Sequence, residues 1–267
     1  MYRKLFLIFL ITILLCFTSC SNNDNNVVHV KIGHIGEFDS YIWKSISRKL
    51  EEENITLELI NFSDYSEINR ALNDEYIDIN NFQNYAYLVN ETNKNDYCLS
   101  VIEKTFIASM NMYSRNLTNA AQISSGAKIA VPDDYINFSR ALKILDSIGF
   151  IKLKKNEKKD YNYEEKDIIE NFLKLELIPI KANEIYSIID DVDAAIVNYS
   201  LSFDFHDENI LYVDDPSKYE SDMYVNVVAA RLEDENNEVY KKIASSYKEM
   251  MYDEIRNGNI EGLIMVD

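Results

Sequence analysis

The order of strands and helices constrains this chain more than any other feature. Short apolar segments alternate with segments of helical period from Val28 onward. The first half gives a strand "HVKIGHIG", a helix over 41–52, a strand "ITLELINF", a helix "YSEINRAL" and a strand "YIDINNF". The second half repeats this order with "KIAVPD", a helix containing Arg140, "LKLELIPI", a helix near 182–189 and "VDAAIVNY". Strands separated by helices predict parallel sheets covered on both faces, and the repeat predicts an α/β fold with two lobes.

Two lobes leave a cleft between them, and in open α/β sheets ligands bind beyond the carboxyl ends of the strands. The residues that follow each predicted strand are therefore the first candidates for a binding site. They occupy positions 34–39, 63–65, 80–83, 133–140 and 198–199.

The first twenty residues predict an export signal and not a part of the folded protein. Arg3 and Lys4 precede an apolar run over 5–17, which is too short for a comfortable membrane span but typical of a secretory signal. The run ends at "FTSC", which resembles the bacterial lipobox, in which the cysteine is lipidated. We therefore expect a signal peptide over 1–19, lipidation of Cys20 and a flexible tether over 20–27. An uncleaved anchor helix is the alternative, and it puts the rest of the chain on the same side of the membrane.

The remaining cysteines fit an exported protein without an internal disulfide. Of the three cysteines, Cys16 leaves with the signal and Cys20 carries the lipid, so Cys98 is left without a partner. Cys98 stands in the apolar run "YCLSVI", and we expect it to be a buried packing residue.

The charge balance excludes nucleic acid as a partner. The formal net charge is −18, and the phosphates of a nucleic acid would repel such a chain. An anionic membrane surface would repel it too, unless a covalent anchor held it there.

The chain lacks the residue patterns that an enzyme needs. Its three histidines are His29, His34 and His206, and no HExxH, CxxC, GxSxG or Walker sequence occurs. A zinc site built from His34, His206 and a carboxylate stays open as a minor alternative. We otherwise expect no enzyme, no metal and no cofactor.

Arg140 is predicted at an unfavourable position, close to the N-terminus of a helix. If Asn137 is the N-cap, Arg140 lies in the first turn, where the helix dipole disfavours a cation by roughly 0.3–1 kcal/mol. One interpretation is that a ligand carboxylate joins the arginine there, because a helix N-terminus favours anions. The other is that Arg140 pairs with Asp133 or Asp134, or points to solvent.

The other candidate cleft residues are amides and aromatic rings, which suit an amino-acid ligand. An asparagine both donates and accepts hydrogen bonds, and aromatic walls suit an apolar or thioether side chain. The asparagines are Asn80, Asn81, Asn84, Asn137 and Asn198, and the aromatic residues are Tyr65, Phe82, Tyr87, Phe106 and Tyr135.

Several motifs in order resemble the methionine-binding lipoprotein family of ABC importers. They are "FSDYSEINRALNDEYIDINNFQNYAYL", "GAKIAVPDDYINFSRALKILDSIGFIKLK", "DVDAAIVN" and "YVNVVAAR". The resemblance covers about 30–266 and implies a type II periplasmic-binding-protein fold, with two α/β lobes joined by two hinge strands near 110–114 and 219–225. It implies one lobe over 28–109 plus 224–267, and the other over 110–223.

The resemblance also implies roles for individual residues. Arg140 would hold the ligand carboxylate, and Asn226 would bind the α-amino or carboxylate group with Asn198 nearby and Asn137 beside them. Tyr65, Phe82 and Tyr87 would line the side-chain pocket. Asn84 and Phe106 stand where the family usually has histidines, so the pocket walls differ from the family pattern.

The expected function is therefore that of an exported, lipid-anchored solute-binding protein. It would capture methionine, a related amino acid or a dipeptide, and deliver it to a permease and ATPase complex from the extracytoplasmic side of the cell membrane. The alternative is a surface lipoprotein, an adhesin or antigen, with a degenerate pocket and no transport role. The changed pocket residues motivate that alternative.

Overall fold

The structure is a computed structural model that describes residues 27–155, 162–205, 208–218 and 222–266. The predicted signal peptide, Cys20, nearly all of the tether, His206 and part of the second predicted hinge strand lie outside these ranges. The elements in chain order are β1 (Val28–Ile35), α1 (Ser40–Glu51), β2 (Ile55–Phe62), α2 (Tyr65–Asn73), β3 (Ile79–Asn84), α3 (Tyr85–Asn95), β4 (Leu99–Ala108), β5 (Met110–Ser114), β6 (Lys128–Pro132), α4 (Tyr135–Ile148), β7 (Ile151–Leu153), β8 (Ile168–Asn171), β9 (Glu176–Ile180), β10 (Ala194–Asn198), β11 (Asn209–Tyr212), β12 (Val225–Arg231), α5 (Glu238–Arg256) and β13 (Leu263–Met265).

The first lobe is built on a mixed sheet with the strand order β13-β4-β12-β3-β1-β2. Strands β1, β2 and β3 are parallel, as the βαβ pattern predicts. Strand β12 returns from the far end of the chain and runs antiparallel between β3 and β4. In the core of this lobe, α1 and α5 pack against the sheet, and the ring centroids of Trp43 and Tyr247 are stacked 4.6 Å apart.

The second lobe has a sheet in the order β11-β5-β10-β6-β9. Here β9, β6 and β10 are parallel, whereas β5 runs antiparallel to both of its neighbours, β10 and β11. Helix α4 packs against this sheet through Ala141, Leu142 and Leu145. It ends at the C-cap Gly149, whose φ is 86°.

The chain crosses between the lobes at two points. The first crossing joins β4 to β5 through Ser109, and the second runs from β11 to β12 through Asp214. The predicted α/β class with two lobes is confirmed, and the proposed residue boundaries of the lobes stay a prediction.

Four local expectations are wrong. The sheets are mixed and not purely parallel. The segment Ala182–Ile188 is a 3-10 helix where an α-helix was expected. The N-cap of α4 is Asp134 and not Asn137. Cys98 is exposed because it precedes the first residue of β4, outside the buried part of that strand. In the described part of the chain, no helix has the length and apolarity to span a membrane.

Candidate ligand-binding site

A cavity lies between the two lobes, at the carboxyl ends of β1, β3, β10 and beside the first crossing. Both lobes contribute to its walls. The lining residues are Ile35, Phe38, Tyr65, Asn81, Phe82, Gln83, Asn84, Tyr87, Phe106, Ala108, Ser109, Asn137, Arg140, Asn198, Tyr199, Ser200, Asn226 and Tyr247. Of the twelve individual cleft residues named from the sequence, ten are in this set, including all nine that were expected to bind the ligand. Asn80 and Tyr135 are not in it. The binding roles of those nine stay predictions.

The helix that carries Arg140 begins three residues earlier than expected. Asp134 caps it, because its side chain accepts from the Asn137 N–H at 2.9 Å. Arg140 therefore lies in the second turn, where the dipole of the helix end is weaker. The unfavourable first-turn position that the sequence suggested does not exist.

Arg140 is buried and has a carboxylate partner that the sequence did not reveal. Its Nη2 lies 2.9 Å from Asp214 Oδ2, and the two side chains are only 3% and 7% exposed. The same nitrogen donates to the carbonyl of Ala108, and the guanidinium lies 5.0 Å from the Tyr224 ring centroid. Neither Asp133 nor Asp134 is the ion-pair partner, and the side chain does not point to solvent.

Asp214 connects Arg140 to both crossings. Its Oδ2 also accepts from the Met110 N–H at 3.2 Å, and its own N–H donates to Asn111 Oδ1 at 3.0 Å. Met110 and Asn111 begin β5 just after the first crossing, and Asp214 lies in the second. Arg140 thus faces the cavity and is bonded to both connections between the lobes.

Amides, two serines and tyrosine hydroxyls provide further polar groups of the cavity. Asn137 Nδ2 donates to Asp134 Oδ2, and Asn198 Nδ2 donates to Asn137 Oδ1, both at 2.9 Å. Asn226 Nδ2 donates to the Phe106 carbonyl at 3.3 Å. Asn198 Oδ1 and Ser109 Oγ are buried and have no hydrogen-bond partner among the described residues. Two buried polar atoms at a cavity wall are suited to a polar ligand.

Aromatic rings form two groups on the cavity wall. Tyr65, Phe82 and Tyr87 contact one another with ring centroids 5.8 to 6.1 Å apart. The second group comprises Phe38, Phe106, Tyr199 and Tyr247, linked by centroid distances from 5.6 to 6.5 Å. The first group was expected, and so were Phe106 and, at the strand-end positions 34–39 and 198–199, Phe38 and Tyr199; only Tyr247 was not.

Asn84 holds one ring of the first group in place. It caps α3, because its Oδ1 accepts from the Tyr87 N–H at 2.9 Å. Asn84, at the position where the family resemblance implies a histidine, therefore caps the helix that carries Tyr87. An N-cap of this kind contributes about 1 kcal/mol of stability.

Asp39 lies directly behind the second aromatic group. Its Oδ2 accepts from Tyr247 Oη at 2.7 Å and from Trp43 Nε1 at 3.1 Å, and its Oδ1 has no partner. Burial raises the pKa of Asp39 to about 6. The sequence placed Asp39 after β1, but Tyr247 lies in the middle of α5, where no local signal marks it.

Contacts across the cleft hold the lobes together. Tyr65 Oη lies 3.3 Å from Ser200 Oγ, and Lys181 Nζ lies 2.6 Å from Asp64 Oδ2. Gly36 has a φ of 76°, and a Cβ there would lie 2.6 Å from the Ser200 carbonyl oxygen. The close approach of the lobes at this point therefore requires glycine.

The described residues do not gather metal ligands near the cavity. No group of three or more His, Cys, Asp or Glu residues suited to a metal occurs among the described residues. The zinc alternative included His206, which lies outside them. His34 is buried beside β3, and burial lowers its pKa.

Comparisons with known proteins agree with this architecture. A probable D-methionine-binding lipoprotein of Vibrio cholerae is 31% identical over 229 residues, which cover 84% of this chain and 82% of that protein. A nutrient-binding protein of Burkholderia cenocepacia, solved with methionine bound, has a TM-score of 0.79 at 27% identity and covers 89% of this chain and 100% of its own. A periplasmic substrate-binding protein of an ABC transporter from Coxiella burnetii has a TM-score of 0.77 at 30% identity, with the same coverage.

These similarities confirm the periplasmic-binding-protein fold. The sequence profile described as NlpA lipoprotein matches residues 30–264, which is nearly all of the chain beyond the predicted signal and tether. The resemblance stated from the motifs is therefore confirmed, and this chain belongs to the NlpA lipoprotein family.

Proposed function

We propose that this protein is a lipid-anchored solute-binding protein of an ABC importer, and that it captures methionine or a related amino acid or short peptide between its lobes. The observation that carries the proposal is the interlobe cavity, in which a buried arginine, amides and aromatic rings converge. Such a set matches the carboxylate, amino group and apolar side chain of an amino acid. The methionine found in the Burkholderia cenocepacia relative supports the same ligand class.

In this proposal Arg140 binds the ligand carboxylate and shares its charge with Asp214. An arginine has five donors in a planar fork, a geometry that lets one guanidinium bond to more than one acceptor. The ligand side chain would lie against Tyr65, Phe82 and Tyr87. Closure of the lobes would exclude water and so strengthen the polar contacts.

The lining supports binding without a chemical step. The described residues that line the cavity include no His, Cys, Lys, Asp or Glu that could act as a general base beside the two serines. We therefore propose that the protein is not an enzyme. Cys20 would carry the lipid, and the protein would work outside the cytoplasm beside its permease and ATPase.

The direct experiment is mass spectrometry of small molecules that copurify with the protein. A thermal-shift panel of L- and D-amino acids and of dipeptides follows it. A ligand at 100 times its dissociation constant should stabilise the fold by about 2.7 kcal/mol. Methionine or a related compound in the copurified fraction supports the proposal, and an empty protein that responds to no compound contradicts it.

A second candidate function has one specific observation in its favour. Arg140 already has a carboxylate partner in Asp214, as it would in a lipoprotein whose pocket no longer binds a ligand. Such a protein would be a surface adhesin or antigen. A gene neighbourhood without an ATPase and a permease, together with an empty purified protein, would favour this candidate.

A further inference from the structure

A chain of three side chains runs from the start of α4 to the cavity. Asp134 Oδ1 caps the helix, and Asp134 Oδ2 accepts from Asn137 Nδ2 at 2.9 Å. Asn137 Oδ1 then accepts from Asn198 Nδ2 at 2.9 Å. The last atom of the chain, Asn198 Oδ1, is buried at the cavity wall without a partner.

The direction of the hydrogen bonds along these three side chains follows from Asp134, the first of them. An amide can present either its oxygen or its nitrogen to a neighbour, because the two ends have nearly the same shape. An ionised carboxylate only accepts, so Asn137 must turn its NH₂ group toward Asp134 and its oxygen toward Asn198. Asn198 must then turn its NH₂ group toward Asn137 and its oxygen toward the cavity.

The unpaired oxygen needs a donor from outside the protein. A buried acceptor without a partner costs about 1–3 kcal/mol, and a ligand that supplies an N–H donor removes this cost. A ligand ammonium group has three donors and no acceptor. It therefore matches an oxygen at this position and would be mismatched with an NH₂ group.

We propose that Asp134 is a positioning residue that orients Asn137 and Asn198 so that the pocket accepts an α-ammonium group. This inference rests on the proposed function and goes further, because it names the residue that selects amino acids over their 2-hydroxy analogues. Burial raises the pKa of Asp134 to about 6, so the carboxylate is ionised at neutral pH, as the orientation requires. Asp134 would touch no part of the ligand itself.

The substitution Asp134→Asn should reverse the order of donors and acceptors along these three side chains. The new amide keeps the helix cap with its oxygen, as an asparagine N-cap does. Its NH₂ group then faces Asn137, which turns its oxygen toward it and its NH₂ group toward Asn198. Asn198 turns in the same way, so a donor replaces the acceptor at the cavity wall. An ammonium ligand loses its partner, whereas a hydroxyl group, which donates and accepts, can adapt.

The experiment is calorimetric titration with methionine and with its 2-hydroxy analogue, at pH 7.5. The wild type should bind methionine at least tenfold more tightly than the analogue. In Asp134→Asn this ratio should fall to about one, with an unchanged melting temperature of the free protein. An unchanged ratio in Asp134→Asn would overturn the inference.

Asp64→Asn is the matched control. Asp64 also caps a helix at the cleft, since its side chain accepts from the Ser66 N–H at 2.9 Å, but it is not part of the amide chain. This variant should affect both probes equally and leave the ratio at its wild-type value. A ratio that collapses in Asp64→Asn as well would show a general capping effect and overturn the inference.

A second measurement separates this inference from the proposed function. If the wild type binds neither probe, methionine binding is refuted while the orientation of the amides can still be decided. Neutron diffraction of deuterated crystals distinguishes the NH₂ group from the oxygen. Asn198 Oδ1 on the cavity side in the wild type and its nitrogen there in Asp134→Asn support the inference, and the same orientation in both contradicts it.

Discussion

Arg140 and Asp214 form a buried ion pair, with 2.9 Å between Nη2 and Oδ2, at the place where the binding cavity meets both crossings between the lobes. The arginine is therefore not an isolated cation that only a ligand can neutralise. A ligand carboxylate would join an existing pair and would compete with Asp214 for the guanidinium. Ligand binding at Arg140, as proposed, would therefore be coupled to the geometry of the crossings through these two side chains.

Asp214→Asn should weaken the free protein and increase the response to ligand. Removing one partner of a buried pair typically costs about 3–5 kcal/mol, because the other charge loses the compensation that this partner gave. A ligand carboxylate would restore that compensation. Urea unfolding with and without methionine should thus show a larger ligand-induced gain in the variant than in the wild type.

Asn111→Ala is the control for the Asp214 variant, since it removes a hydrogen bond to Asp214 without removing a charge. It should lower the free energy of unfolding by about 1 kcal/mol and leave the ligand-induced gain unchanged. Equal gains in Asp214→Asn and in the wild type would show that the ligand does not use the charge of Arg140.

Lys181→Met should weaken ligand binding slightly, in a salt-dependent way. The Lys181–Asp64 pair joins the two lobes, and its side chains are 53% and 21% exposed. Hydrogen bonds from Lys181 and Ser66 lower the pKa of Asp64 although burial opposes this shift. Exposed pairs contribute about 0–1 kcal/mol, and high salt screens them. Calorimetry at low ionic strength should give a loss of at most about fivefold.

That loss should disappear at about 0.5 M NaCl, where the Debye length is only a few ångströms. Lys166→Met is a matched control, because the ion pair that Lys166 forms in the described part of the chain is with Glu164, within the second lobe. A loss of affinity in Lys181→Met that persists at high salt would contradict a purely electrostatic closure contact.

Asp39→Asn should change how stability depends on pH. The pKa of Asp39 rises from 3.8 to about 6 in the folded protein, so between these values the folded state binds more protons than the unfolded state. The folded state is therefore progressively disfavoured as pH rises from about 4 to 6, and the full penalty remains above pH 6. A shift of about two units corresponds to roughly 3 kcal/mol.

The asparagine variant stays neutral and avoids that penalty, while its oxygen can still accept from Tyr247 and Trp43. Chemical unfolding at pH 7.5 should find the variant more stable than the wild type by about 1–3 kcal/mol. The difference should shrink as pH falls toward 4. Parallel pH profiles for the two proteins would mean that Asp39 does not titrate in this range.

The sequence predicted much of the fold because its local signals and its long-range packing agree. The apolar period of "ITLELINF" and the helical period after Asp134 lead to β2 and α4 in the structure. The antiparallel position of β12 between β3 and β4 could not be predicted in the same way. It depends on pairing Asn226 with Asn84 across more than half of the chain, and no local pattern encodes such a partner.

The N-cap of α4 shows the limit of local signals within a correctly predicted element. Asp134 and Asn137 both have side chains that cap helices, and they are three residues apart. The structure uses Asp134 as the cap and places Asn137 inside the first turn, where it bonds Asp134 and Asn198. This three-residue difference moved Arg140 out of the first turn and removed the dipole argument.

The partners of the predicted site residues were the least predictable part. The strand ends pointed to segments that each contribute to the cavity wall, through Tyr65, Asn81, Phe82, Gln83, Asn198 and Tyr199. Asp214, by contrast, follows β11 in a segment without hydrophobic periodicity, 74 residues from Arg140. Tyr247 appears from the sequence as an ordinary core residue of α5, and only the folded structure brings it to the cavity wall.

The most direct test of the central claim is calorimetric titration of the wild type and of Arg140→Ala with methionine. Our account predicts saturable binding by the wild type and a loss of at least 100-fold in the variant, about 3 kcal/mol, because the ligand carboxylate would then face Asp214 without the guanidinium. Arg140→Lys should lose less, since it keeps the charge. Equal affinity in the wild type and in Arg140→Ala would contradict the account.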